Sequence, residues 1–292
     1  MELRALRYYL AICECGTMSR AAEKLHVTQP ALSRQIAGLE RELGCALLER
    51  HSRSVTPTEQ GLYLRRRAQE IVGLADRTAA DFSCDGDIVA GDVHIGAGES
   101  ACMRLIAARA RAFRERYPDV RFHLHSAVAT DLVERLERGL DDLAVLMSHP
   151  ENDRYAHLRL PLTDAWGVVM RADDPLAARE VVTPAELAEG PLIMPERAWT
   201  GEHAAGPLGD WFGDEGDRLD VAATYNLTYN ATLLVREGVG RMLTLEGLAD
   251  VGEGSELAFR LLYPPAVSTI DVVWRRDATP SRAVALFLES LR

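Results

Sequence analysis

The sequence predicts a small all-α head, one long helix and a larger α/β body. Three observations carry this. Two short apolar stripes of helical period lie back to back between residues 17 and 44. A longer stripe of similar period runs from about residue 59 to residue 82. Beyond residue 92, short β-branched runs alternate with amphipathic helical segments, the pattern of an α/β domain.

In the head, Met18, Ala21, Ala22 and Leu25 recur at i, i+3, i+4 and i+7 and predict one face of a short helix. The alanines let a neighbouring helix approach closely. After His26-Val27, Thr28 is the expected N-cap of a second helix, and Pro30 is tolerated in its first turn, where no intrahelical bond needs its missing N–H. Leu32, Ile36, Leu39 and Leu43 then predict a second buried stripe, closed by Gly44. Two short helices joined this tightly are a helix-turn-helix, whose second member enters the major groove of DNA. With Leu32 and Ile36 facing inward, Pro30, Ser33, Arg34, Ala37 and Arg41 face outward, and Gln29 stands at the tip. Glutamine can bond adenine bidentately, arginine can bond guanine, and serine can meet a base edge or a phosphate.

Charge distribution supports that expectation. The chain of 292 residues has a net charge of −11, but residues 1–67 hold eleven basic against seven acidic side chains. The remainder holds 22 against 37. A basic head on an acidic body confines any polyanion contact to the head. Lys24 is the sole lysine, so phosphate contacts fall mainly to arginine.

The run AAEKLHVTQPALSRQIAGLERELG, followed by LLER, Arg53, VTPTEQG and a long helix, closely resembles the LysR-type transcriptional regulators. The match covers residues 1–75. The resemblance implies a winged helix-turn-helix in which Gln29, Pro30, Ser33 and Arg34 lie in the major groove. It places Arg53, on the wing HSRS, at the DNA backbone or minor groove, and Thr28 at the helix tip joins the expected contact set. Leu48 stands where the family usually has Phe, and Pro57 where it often has Leu.

Thr58 is the expected cap of a linker helix from near Glu59 to about Phe82. Its Leu64, Ala68, Ile71, Ala75, Thr78 and Phe82 follow alternating steps of four and three, a seam that would pair two copies. The Gly- and Asp-rich stretch 83–92 reads as a hinge. The expected divisions are 1–58, 59–90 and 91–292, and the family resemblance implies a dimer or tetramer.

In the body, residues 93–97, 120–126 and 143–147 read as strands. Residues 103–117 read as a helix, as does a segment striped by Leu132, Leu136 and Leu140. A second αβ block spans about residues 166–263, and the chain returns through a strand at 270–274 and a closing helix at 281–291. This layout resembles the two-lobed fold of type 2 periplasmic-binding proteins. It implies lobe I at 91–163 and 267–292 and lobe II at 164–266, with crossings near 161–165 and 264–269. By the same resemblance an effector sits between the lobes, near Glu99, Ser100 and Thr130 on one side. Arg197, Tyr225, Asn226 and Tyr229 are expected on the other. Glu99 beside a helix N-terminus would repel an anion, so a neutral or cationic effector is expected, with Tyr225, Tyr229 or Trp199 as stacking groups.

Other chemistries are not supported. No GxSxG, P-loop or nucleophile–base spacing marks an enzyme, and no cofactor is implied. His123 and His125 share a strand face without a third ligand, so no metal is expected. The five cysteines follow no zinc spacing and read as reduced structural thiols, with Cys102 near a helix N-terminus the one thiol-sensor alternative. No apolar run approaches the roughly 18 residues that cross a membrane, and no cleavable leader is visible. The expectation is a cytoplasmic regulator that binds double-stranded promoter DNA and a small molecule, with RNA polymerase a further candidate partner. The alternative is a solute receptor that does not use its head.

Overall fold

A computed structural model describes residues 1–51, 54–82, 89–147, 153–199, 201 and 206–292. The chain divides into two compact units, residues 1–88 and 89–292.

The first unit opens with α1 (Leu3–Cys15), which the sequence reading left unassigned. Its Leu6, Tyr9 and Ile12 are fully buried and form the floor of the head core. Gly16 ends α1 at φ +68°, and the Thr17 hydroxyl caps α2 (Met18–Lys24) by accepting the Arg20 N–H. The next helix, α3 (Gln29–Leu43), buries Leu32, Ile36 and Leu39. Burying a side chain such as Ile36 stabilises the head by about 2–3 kcal/mol. Two expectations fail here. Leu43 is 41% exposed, because the core that α3 packs against ends a turn earlier at Leu39. Thr28 has N-cap backbone geometry, but its hydroxyl makes no cap bond.

The wing pairs β1 (Leu48–Arg50) with β2 (Val55–Pro57) in antiparallel register. Thr58 caps α4 (Glu59–Phe82) by accepting the Gly61 N–H at 3.0 Å. The first two positions of the expected pairing seam, Leu64 and Ala68, lie in the head's own core. Among the described residues of α4, Leu62, Tyr63, Ile71 and Leu74 are large apolar side chains left exposed. Where α4 begins, a Cβ added to Gly61 would lie 2.1 Å from the Leu47 carbonyl oxygen and 2.7 Å from the Tyr9 hydroxyl. Gly61→Ala is therefore expected to cost about 1–3 kcal/mol through overpacking, read as a lower urea midpoint for the head.

The second unit is built on mixed sheets, with parallel strands in each lobe and antiparallel ones joining them. In lobe I, β3 (Gly91–Ala97) pairs in parallel with β4 (Val120–Ser126) and β5 (Leu143–Leu146). Helix α5 (Met103–Arg116) and α6 (Ala129–Glu137) connect them. Leu140 lies beyond α6 rather than on its stripe: Gly139 turns left-handed at φ +63°, and the Leu140 N–H closes on the Arg135 carbonyl.

Strand β6 (Tyr155–Arg171) belongs to both lobes. Residues 155–165 pair with β12 (Val267–Arg275), and 166–171 pair with strands of lobe II. Lobe II contains β7 (Val181–Val182), α7 (Pro184–Leu187), β8 (Leu192–Pro195) and α8 (Gly206–Phe212). It continues through β9 (Val221–Tyr225), α9 (Thr228–Arg236), β10 (Arg241–Leu245) and β11 (Leu257–Leu262). Strand β8 lies parallel between β9 and β10, and β11 runs along β6. Helix α10 (Arg282–Leu291) returns to the lobe I core, where Phe287 meets Phe113 and Phe122 edge-on. Such aromatic pairs add about 0.5–1.5 kcal/mol beyond area burial.

Candidate functional site

On the head, the first turn of α3 carries the polar set. Thr28, Gln29, Pro30 and Arg34 are exposed and Ser33 is half-buried. The Gln29 side-chain oxygen accepts the Ser19 hydroxyl at 3.2 Å, which ties the tip of α3 to α2. Arg34 makes no hydrogen bond or ion pair among the described residues, so its guanidinium is free for an incoming acceptor. Arg41 instead folds back onto the Ala37 carbonyl. The expected wing contact Arg53 lies outside the described residues.

In the second unit a cavity of about 520 Å³ opens where the carboxyl ends of six parallel strands converge from the two lobes. Its volume falls within the roughly 300–1,000 Å³ of small-molecule sites, and strand carboxyl ends are where α/β folds place them. Lobe I contributes Gly98 and Glu99 after β3, Ala127 to Asp131 after β4, and Met147 after β5. Lobe II contributes Pro195 to Arg197 after β8, Tyr225, Asn226 and Thr228 after β9, and Leu245 and Leu248 after β10. Trp166 on β6 closes the floor, its indole N–H held by the Ser268 hydroxyl at 2.9 Å.

Two contacts cross the cavity mouth. A Glu99 carboxylate oxygen accepts the Thr228 N–H at 2.6 Å, at the N-terminus of α9. A guanidinium nitrogen of Arg197 lies 3.0 Å from the Met147 sulfur. Burial holds the Arg197 pKa below its ordinary value. Burial also pushes the Tyr225 phenol up to about 12, so it stays protonated and donates to the Leu243 carbonyl at 2.7 Å.

Against known proteins, the family model described as "Bacterial regulatory helix-turn-helix protein, lysR family" matches residues 3–62. The model described as "LysR substrate binding domain" matches residues 87–292. The chain belongs to the LysR family. It is a DNA-binding transcriptional regulator with an effector-binding domain, and its family is one of regulators rather than enzymes. Among relatives, it is 34% identical over 277 residues to the DNA-binding transcriptional dual regulator OxyR of Escherichia coli K12, covering 94% of this chain and 84% of that one. It is 25% identical over 292 residues to the regulator YvbU of Bacillus subtilis strain 168, covering 99% and 97%. The solved LysR regulator CbnR shares the fold at TM-score 0.76 and 23% identity, covering 100% and 98%. CbnR complexed with its target DNA matches at TM-score 0.74 and 22% identity, covering 100% and 99%.

Within the LysR effector domain, Glu99, Thr130, Arg197, Tyr225 and Asn226 all face the one cavity. Three expected neighbours do not. Ser100 spends its hydroxyl on the Cys102 N–H at 3.0 Å, closing the turn into α5. Tyr229, the second residue of α9, is 74% exposed and does not line the cavity. Trp199 packs against the lobe II core instead of lining the space. Glu99 also differs from expectation: it sits on the N-terminus of α9 in the opposite lobe, not on that of α5. Trp166, Thr228, Thr244 and Leu248 went unrecognised in the sequence, although each except Trp166 lies at or just after a strand end.

His123 stacks on His94 at 4.5 Å and pairs with Asp92 at 2.9 Å, which accounts for its place on the strand face. Cys102 is buried and lies 3.3 Å from Asp164, to whose carboxylate its thiol donates, and burial pushes its pKa up to about 11. At pH 7 only roughly one thiol in ten thousand would be thiolate. In the native protein Cys102 is therefore expected to resist iodoacetamide and micromolar peroxide that modify an exposed thiol, as read by peptide mass.

Proposed function

We propose that this LysR regulator works in the cytoplasm as a one-component switch. The first turn of α3 reads a dyad-symmetric promoter site, and a small molecule bound between the lobes controls promoter output. The observation that supports this most is the free Arg34 guanidinium beside Gln29 on an otherwise well-packed helix. Among the described residues no helix is long and apolar enough to cross a membrane. We assign Thr28, Gln29, Pro30, Ser33, Arg34 and Arg53 to DNA, and residues 1–58, 59–90 and 91–292 to head, linker and effector domain.

Self-association sets two heads on one operator, with the exposed Ile71 and Leu74 of α4 offering apolar surface for a second copy. Glu99, Thr130, Arg197, Tyr225 and Asn226 bind the effector. It is neutral or cationic overall, since Glu99, Asp131 and Glu196 outnumber Arg197 around the cavity. The effector acts by preferring one lobe angle, which requires different affinities for two states. RNA polymerase meets the assembled complex on DNA.

Footprinting of the full-length protein on the DNA upstream of its own reading frame tests this. Protection of two half-sites spaced by whole helical turns is the expected result. Absence of any protected segment there and at neighbouring promoters would favour the solute-receptor alternative.

A further inference from the structure

The cavity holds two charges of opposite sign that do not pair with each other. Glu99 comes from lobe I and Arg197 from lobe II, and no ion pair joins them among the described residues. One Glu99 oxygen is engaged by the Thr228 N–H, and the other has no protein donor among the described residues. Among the described residues Arg197 meets only the Met147 thioether, a weak acceptor that brings no negative charge. Thr244 also lines the cavity, buried beside the Tyr225 phenol, which gives its proton to the Leu243 carbonyl. Charged cavity groups that meet no opposite charge, as Glu99 and Arg197 meet none among the described residues, favour a ligand that completes them. Arg197, like Asp131 and Glu196, is exposed at the rim, and Glu99 is half-buried. The floor, by contrast, is apolar: Trp166, Leu245 and Leu248.

We propose that the effector is a zwitterionic α-amino acid with an apolar side chain, its ammonium on Glu99, its carboxylate on Arg197 and its side chain on the Trp166–Leu248 floor. The proposal deepens the reading of this cavity as the effector site and rests on it. It also explains how one molecule would bridge the lobes, since each charged end is received by a different one.

The test is calorimetric titration of the full-length protein with the apolar L-amino acids, and with N-acetyl and methyl-ester forms of the one that binds best. The acetylated form keeps only the carboxylate, and the ester keeps only the ammonium. The free amino acid is expected to bind at least about tenfold more tightly than either. Glu99→Gln should weaken the free amino acid about tenfold and leave the acetylated form unchanged, and Arg197→Gln should do the same with the ester as control. Circular dichroism melts of the two variants confirm that they fold. Failure of every apolar amino acid to bind, or equal binding of a blocked form, overturns the proposal. Promoter binding by the same preparations separates the two readings: DNA binding without amino-acid binding overturns only the ligand class, and loss of both overturns the regulator reading too.

Discussion

Replacing Gln29 and Arg34 together by alanine is expected to lower affinity for the specific operator by about 2–6 kcal/mol, while binding to random DNA at low salt changes little. The two side chains stand in the first turn of α3, exposed, and neither belongs to the head core. Their loss should leave the fold intact, because α3 is held by Leu32, Ile36 and Leu39 on its opposite face. Each bidentate base contact contributes about 1–3 kcal/mol of discrimination, whereas nonspecific affinity comes from phosphate neutralisation spread over the basic head. Arg34→Ala alone should remove one phosphate-independent contact and relax specificity at a single base. Fluorescence anisotropy on operator and scrambled duplexes separates these terms. An equal loss on both duplexes would mean that these residues touch phosphates only.

Arg135→Met is expected to destabilise the effector domain by about 3–5 kcal/mol. Arg135 holds Asp141 through two hydrogen bonds of 2.7 and 2.8 Å, and the Asp141 side chain is 1% exposed. Removing the guanidinium leaves a carboxylate buried beneath the end of β3 with its counter-charge gone. For a unit of this size, the loss corresponds to roughly 6–20 °C in melting temperature. Adding Asp141→Asn should restore much of it, since a neutral amide needs no counter-charge. A melting temperature within 1–2 °C of the parent's would show that the carboxylate is neutralised by another route.

The head was legible because its helices are short, amphipathic and bounded by strong signals: Gly44 at the end of α3, Thr58 at the start of α4. Helix α1 was equally legible, since Ala5, Tyr8, Tyr9 and Ile12 recur at i, i+3, i+4 and i+7 and are all buried, yet it carries no side-chain cap to mark its start. In the body, strands such as LAVLM announced themselves by composition, and the alternation with helices conveyed the two-lobed fold. The cavity was half legible. Glu99, Thr130, Arg197, Tyr225 and Asn226 lie just beyond strands that the sequence marks. Side-chain direction was not legible: Tyr229 and Asn226 are three residues apart, yet only Asn226 faces the cavity. The same holds for Glu99, since its partner Thr228 is 129 residues away and belongs to the other lobe. Helix-cap geometry across lobes leaves no periodic trace in a chain.

The central claim is that this chain recognises a particular DNA sequence through its head. Its most direct test is the ratio of affinities of the full-length protein for its own upstream intergenic duplex and for a scrambled duplex of equal composition, measured at about 150 mM salt. The account predicts a ratio on the order of 10³ or more, with both affinities falling as salt rises. Equal affinity for the two duplexes, or no binding to either at low salt, would contradict it.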